Sequence, residues 1–410
     1  MNRFIGNYKG MPKEMYILCF ATLINRIGDF IVPFLSLYLT QKIGLSTAVS
    51  GIIVTLSSII SIPASMMGGR VSDMYGRKKI YIFAQSLAAA ALIPCAFTRD
   101  AAVTVVCLLV STFFNGFVRP AFESIIIDIL PSTQRQAGFS LKYISINVGV
   151  SIGPILAGFL FNNLLPVLFL GDALTSFIAV FLVFKYVKET HPDIRCVHVE
   201  NKAETAEKDG LMKMLQKRPQ LLVFLILCIV YNFIYTQQRF SLPILMNFQF
   251  GNEGAKLYGY LMSINAVTVV LLTVFISTLT RKNHELTNMV LSGILYSVGF
   301  GMLGYVNNFS LYIASTIIWT GGEILSSISS GIYVANNSPS NYRARLTAIR
   351  LIALAAGSSL STAVSGAFIQ LYGCKAIWTL VLLISLFGVI LMFSLRVFSR
   401  KTEKRQSMSA

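Results

Sequence analysis

The chain has 410 residues, of which 55% are hydrophobic and only 12% charged, and its mean hydropathy is +0.68. Too little polar surface remains to cover a soluble globule, so the composition excludes a water-soluble domain and specifies an integral membrane protein. The formal net charge of +17 does not point to nucleic acid, because the bases fall in short loops between apolar runs and form no basic domain face.

The polar stretch Met1 to Lys13 leads into an apolar run long enough to cross a bilayer, so an uncleaved first helix is expected in place of a cleavable signal peptide. Twelve such runs follow one another, at 14–40, 46–68, 80–98, 102–130, 138–161 and 165–187, then 219–248, 255–280, 285–305, 309–336, 342–371 and 375–397. The polar, aperiodic segment 188–218 divides them into an N-terminal six-helix bundle, 1–187, and a C-terminal one, 219–397, with a tail at 398–410. The fold class is therefore an all-α membrane protein of twelve transmembrane helices. Bases gather at alternate turns: Arg3, Lys9 and Lys13, then Arg70, Arg77, Lys78 and Lys79, then Arg135, the linker, Arg281 and Lys282, Arg343 and Arg345, and the tail. The positive-inside rule then places both termini in the cytoplasm and makes the chain a multi-pass plasma (inner) membrane protein.

Ionisable residues deep in apolar runs are the informative ones, since each is costly unless paired or watered. In the first run Arg26 and Asp29 share a helical face, with Pro33 expected to kink the helix just beyond. A structural ion pair and a role in substrate or proton binding both fit them. The stretch Gly69 to Ile80 is a polar hinge: Gly69 and Gly76 permit tight turning, and Asp73 lies four residues before Arg77. In the fourth run Arg119 and Glu123 flank Pro120 on one face, and Asp128 lies nearer the cytoplasmic end. Glu123 is a proton carrier if its partner is released, and a static pair with Arg119 if not.

The fifth run carries Gly149, Gly153-Pro154 and Ala157-Gly158, small residues that allow close helix approach, with a proline that weakens a backbone bond; a bending contact and mere tight packing both fit. In the seventh, Tyr235, Gln237, Gln238 and Arg239 precede Pro243 toward the external end, where they line an outer vestibule or, for Arg239, snorkel to the headgroups. The tenth holds Gly321, Gly322 and Glu323, an acid that must be protonated or face a wet cavity. Asn336, Pro339, Arg343 and Arg345 echo Asp128, Pro131 and Arg135, the trace of an internal repeat.

The hinge resembles the signature loop of the major facilitator superfamily, Gly-x-Leu-x-Asp-Arg-x-Gly-Arg-Lys. Gly69, Asp73, Gly76, Arg77 and Lys78 match, while Val71 and Met74 depart. The fifth run resembles the antiporter motif Gly-xxx-Gly-Pro-xx-Gly-Gly at Gly149, Gly153, Pro154 and Gly158, with Ala157 in place of Gly. Gly322-Glu323 is similar to a Gly-Glu pair in proton-coupled multidrug exporters and peptide transporters. The resemblance implies two pseudo-symmetric six-helix bundles that alternate access by rocking. It implies a latch in which Asp128 joins Asp73 and Arg77 to hold the outward-open state, and a substrate- or proton-binding role for Glu323. Proton-coupled efflux of lipophilic or cationic small molecules is the expected function. A symporter or importer of a nutrient, peptide or metal chelate is the first alternative, and a non-transporting sensor or lipid-binding protein the second.

No nucleophile-base-acid constellation and no phosphate loop is present, which argues against an enzyme and against ATP as a direct energy source. Six cysteines without metal spacing, and His191 and His198 around Cys196, give no metal site, and no cofactor is expected. The expected partners are a small-molecule substrate, protons and the lipid bilayer, with no nucleic acid, and the chain is expected to be a monomer.

Overall fold

A computed structural model describes residues 10–131, 134–190, 218–280, 282–337 and 343–409. Most of the expected linker, with His191, Cys196 and His198, lies outside the described residues, as do Arg281 and Pro339.

Among the described residues every expected run is helical and there are no strands. The first run is split into α1 (Lys13–Ile27) and α2 (Ile31–Leu37), which continues into a π turn at Tyr38–Lys42. The next five are α3 (Thr47–Tyr75), α4 (Arg77–Leu92), α5 (Ala101–Ile129), α6 (Arg135–Asn163) and α7 (Leu165–Tyr186). The last six are α8 (Pro219–Phe250), α9 (Gly254–Leu279), α10 (Glu285–Met302), α11 (Phe309–Asn337), α12 (Arg343–Tyr372) and α13 (Ala376–Ser409). Ten stretches are long and apolar enough to cross a membrane, and one of them, Pro219–Thr273, carries two helices. Helix α10, 18 residues and about 27 Å long, is not among the ten because Glu285, Thr287 and Asn288 in its first turn lower its mean hydropathy.

The helix starts follow local chemistry. Ser46 and Asp100 accept hydrogen bonds from the N–H groups of Val49 and Val103, capping α3 and α5. Outward faces carry large apolar side chains at helical spacing, such as Leu174, Phe181 and Phe184 on α7 and Leu383, Phe387 and Ile390 on α13. Such belts are stable only against oil.

Three details differ from expectation. Of the two hinge glycines only Gly76 turns the chain, at φ 105° and ψ 136°; Gly69 lies inside α3, and the hinge is one residue long. The interruption in the first run is at Gly28–Phe30, not at Pro33, which sits in the first turn of α2, where a missing N–H costs nothing. Helix α13 continues to Ser409, through a stretch expected to be tail.

The chain divides into two compact units, Met1–His198 with Met246–Val267, and Val199–Leu245 with Thr268–Ala410. In the first, α1 packs on α6 and α7, α5 on α3 and α4, and α4 on α7, around a core that includes Met15, Leu18, Tyr81, Ile125 and Val183. In the second, α10 packs on α11 and α13 around Phe300, which stacks on Trp319 at 5.3 Å and on Trp378 at 6.2 Å.

Candidate functional site

The hinge is held from two sides. Arg77, at the start of α4, reaches Asp128 at the end of α5 with Nη1, donates from the same nitrogen to Ser124 O at 3.2 Å, and reaches Asp73 with Nη2 at 3.4 Å. Asp73 is 60% exposed, so its share is that of a screened surface pair, about 0–1 kcal/mol at most, and Asp128, 26% exposed, is the less exposed partner. On the other side Glu189 accepts from the backbone N–H groups of Lys78 and Lys79 at 2.9 and 3.1 Å, an anion on the positive end of a helix. A Cβ on Gly76 would come within 3.0 Å of that carboxylate. The sequence reading missed Glu189, whose partners are about 110 residues away.

Inside the first unit the expected acids are met by bases. Arg26 donates to Asp29 at 2.7 Å. Glu123 meets Arg119 at 3.4 Å, as its spacing anticipates, but Arg119 is 74% exposed. A second base, Lys142 on α6, reaches the same Glu123 oxygen at 3.3 Å, is only 15% exposed, and lies over the rings of Phe122 and Phe139. Lys142 is therefore the enclosed partner of Glu123. It was legible as a base inside the fifth apolar run, as Asp172 was legible as an acid inside the sixth. Asp172, on α7, lies beside Asp29.

The glycine-rich α6 forms the wall behind Arg26. A Cβ on Gly149 would lie 2.5 Å from Arg26 Cβ, and one on Gly153 would lie 2.9 Å from Ile27 O, so the two backbones touch just before the break in the first run. Further along α6, Gly158 faces Ala255 and Lys256, and the carbonyl of Pro154 faces Gly259, all within the first unit.

The second unit treats its acid differently. Tyr235 on α8 donates its hydroxyl to Glu323 on α11 at 2.6 Å. Tyr296 lies beside the same carboxylate, and the ring of Tyr235 is 6.3 Å from Tyr296 and 6.5 Å from Trp319. Gln238 and Arg239 lie beside the Tyr235 phenol, so Arg239 extends this cluster from an exposed position. Gln237 points elsewhere. It is fully buried, and its amide bonds Ser361 and Ser365 of α12 at 2.9 and 2.8 Å, which makes it a tie between helices and removes it from any vestibule.

A helical chain with this many spanning segments, ionised side chains paired within them and a charged hinge defines a membrane transport protein. The family model described as "Major Facilitator Superfamily" matches residues 18–362, and the chain belongs to that family. It is thus a secondary transporter, not an enzyme. Among relatives, the MFS-type transporter YttB of Bacillus subtilis (strain 168) is 25% identical over 98% of this chain and 100% of its own length. A Na(+), Li(+), K(+)/H(+) antiporter of Planococcus maritimus is 22% identical over 74% of this chain and 78% of its own. The quinolone resistance protein NorA of Staphylococcus aureus is 26% identical over 39% of this chain and 42% of its own.

Proposed function

We propose that this protein exports lipophilic organic cations in exchange for protons by alternating access. The observation that carries the reading is the surrounding of Glu323: a carboxylate that accepts from the Tyr235 phenol at 2.6 Å, beside the rings of Tyr235, Tyr296 and Trp319. A carboxylate supplies the charge partner for an organic cation, and ring faces attract it further, by about 0.5–2 kcal/mol each. A small inorganic cation would call for a cage of oxygens instead.

Protons enter through the first unit, where Asp29 and Glu123 each hold a base now and become proton acceptors when that base is drawn away. Antiport is supported by the Planococcus relative, whose name couples cations to H(+), and drug export by NorA, whose name states quinolone resistance. We further assign Asp73, Arg77 and Asp128 to a latch for one access state, Gly149, Gly153, Pro154 and Gly158 to the helix contact that changes with it, and both termini to the cytoplasm. The N-terminal bundle is assigned to 1–187 and the C-terminal bundle to 219–397.

The test is transport of a cationic dye into proteoliposomes under an imposed pH gradient, comparing wild type with Glu323→Gln and Glu123→Gln. Gradient-driven movement that both variants abolish supports the reading. Movement indifferent to the gradient and unchanged in both rejects it, and inward uptake of a single nutrient replaces it with symport.

A further inference from the structure

Helix α13 is longer than a membrane requires. Its residues 376–395 carry no charge and span about 30 Å, the thickness of the hydrocarbon core. Arg396 is the first charged residue, and the helix runs on to Ser409, about 20 Å further. That extension holds Arg400, Lys401, Lys404 and Arg405 against one acid, Glu403.

The helical register gives these charges a direction. Along its spanning part α13 turns Val381, Met392, Leu395 and Ser399 to the protein, where they are buried, and Leu383, Phe387, Ile390, Phe393 and Val397 outward, each at least 40% exposed. At about 100° per residue, the positions of the four bases fall within an arc of about 140° centred on that outward stripe. Positions 402, 403 and 406 continue the protein-facing stripe instead, and they hold Thr402, Glu403 and Gln406. The lipid-facing apolar stripe therefore passes straight into a basic one where the helix leaves the hydrocarbon. The positive-inside rule asks for bases at a cytoplasmic helix end, but it does not ask them to share a face.

Depth agrees with direction. Positions 400 and 401 lie about 6–8 Å past Arg396, at the level of the headgroups, and 404 and 405 about 12–14 Å past it. The Cα–Cβ bonds of an α-helix lean toward its N-terminus, which for this end of α13 is toward the membrane.

We infer that the basic stripe is a binding surface for anionic phospholipid headgroups, with the acyl chains of the same lipids lying along the apolar stripe above it. Charge complementarity names the occupant: each base near an anionic leaflet is drawn to it, and the acid of the extension is kept off that face. The surface is independent of the cargo and of the proton step proposed above.

Hydrogen exchange of the full chain in lipid nanodiscs, followed at the amides of residues 400–409, tests it without transport. In phosphatidylcholine mixed with phosphatidylglycerol these amides are expected to exchange about tenfold more slowly than in phosphatidylcholine alone. The difference should collapse in about 1 M salt, where the Debye length falls to about 3 Å. A variant combining Lys401→Gln and Lys404→Gln with Thr402→Lys and Gln406→Lys keeps the net charge but moves two bases off the stripe, and it should lose most of the slowing. Arg400→Gln, Lys401→Gln, Lys404→Gln and Arg405→Gln together should lose all of it. Equal exchange of the wild type in the two lipids overturns the inference. Full slowing in the relocated variant overturns it as well, since net charge and not the stripe would then hold the lipid. Inorganic phosphate added to phosphatidylcholine discs should leave exchange unchanged, and slowing there as large as with phosphatidylglycerol would remove the lipid as the ligand.

Discussion

The two units set their membrane acids among different neighbours, bases in the first and aromatic rings in the second. In the first, Asp29 is held by Arg26 and Glu123 by Lys142 and Arg119, so that every expected acid has a base within 3.4 Å. In the second, Glu323 is held by the neutral hydroxyl of Tyr235 among aromatic rings. A base-paired acid stores its charge and responds when the base moves. A phenol and ring faces beside a carboxylate add hydrogen-bonding and cation-attracting surface to its charge. We read the difference as a division of labour, protons to the first unit and cargo to the second.

The largest expected effect tests the cargo half. Glu323→Gln preserves shape and the bond from Tyr235 but removes the charge, and losing a desolvated charge partner costs about 2 kcal/mol or more, so dye affinity should fall about 30-fold. Equilibrium dye binding in detergent measures it without any gradient. Glu123→Gln should leave that affinity within about twofold if the labour is divided, and an equal loss in both variants would dissolve the division.

The next effect concerns the hinge that both roles require. Gly76 holds φ 105° and ψ 136°, which a side chain adopts only with strain, and its added Cβ would press on Glu189. Gly76→Ala should therefore destabilise the first unit by about 1–3 kcal/mol, seen as a lowered melting temperature. Gly69→Ala, inside α3 with only Pro120 Cβ within reach at 3.9 Å, should be neutral or stabilising. Equal melting temperatures for the two would remove the distinction drawn between these glycines.

That pair of glycines also shows what a sequence makes legible. Apolar runs announced the spanning helices, since burial in oil is a property of each segment by itself; the Arg26–Asp29 partnership followed from spacing, and the Arg77–Asp128 one was implied by the family resemblance. Which glycine turns, where the first run breaks and which base holds Glu123 were not legible. Each depends on a partner far along the chain: Glu189 for Gly76, Thr175 of α7 pressed on Gly28 for the break, Lys142 for Glu123. Lys142 and Asp172 did carry a signal, being charged residues in runs otherwise apolar, and the rule that singled out Asp29 and Glu323 applies to them unchanged. Gln237 is the reverse case, a polar residue whose position suggested a vestibule and whose bonds are spent on Ser361 and Ser365.

A third effect separates the two bases on Glu123. Lys142 is enclosed and Arg119 is not, so Lys142→Met should cost about 1–2 kcal/mol, the penalty for breaking a buried pair reduced because Glu123 keeps Arg119 and is 38% exposed. Arg119→Met should cost less than about 0.5 kcal/mol. Thermal melts of the two variants rank them, and the reverse order would show that the exposed pair is the one that holds Glu123.

A fourth effect, smaller than that of Lys142→Met, lies in the seam of the second unit, where polar bonds are redundant and no charge is at stake. The amide of Gln237 donates to both Ser361 and Ser365, and its oxygen accepts from Ser241 at 2.5 Å and from Ser365 at 3.2 Å. Ser365→Ala removes one donor and one acceptor but leaves each end of the amide a partner, so about 0.5–1 kcal/mol should be lost, the net value of an ordinary hydrogen bond. For a unit of this size that is a fall of a few degrees at most in melting temperature. Dye affinity should not move at all, because the seam faces away from Glu323. A Ser365→Ala variant that melts normally but loses dye affinity would place Gln237 back in the cargo site and turn a helix tie into a ligand.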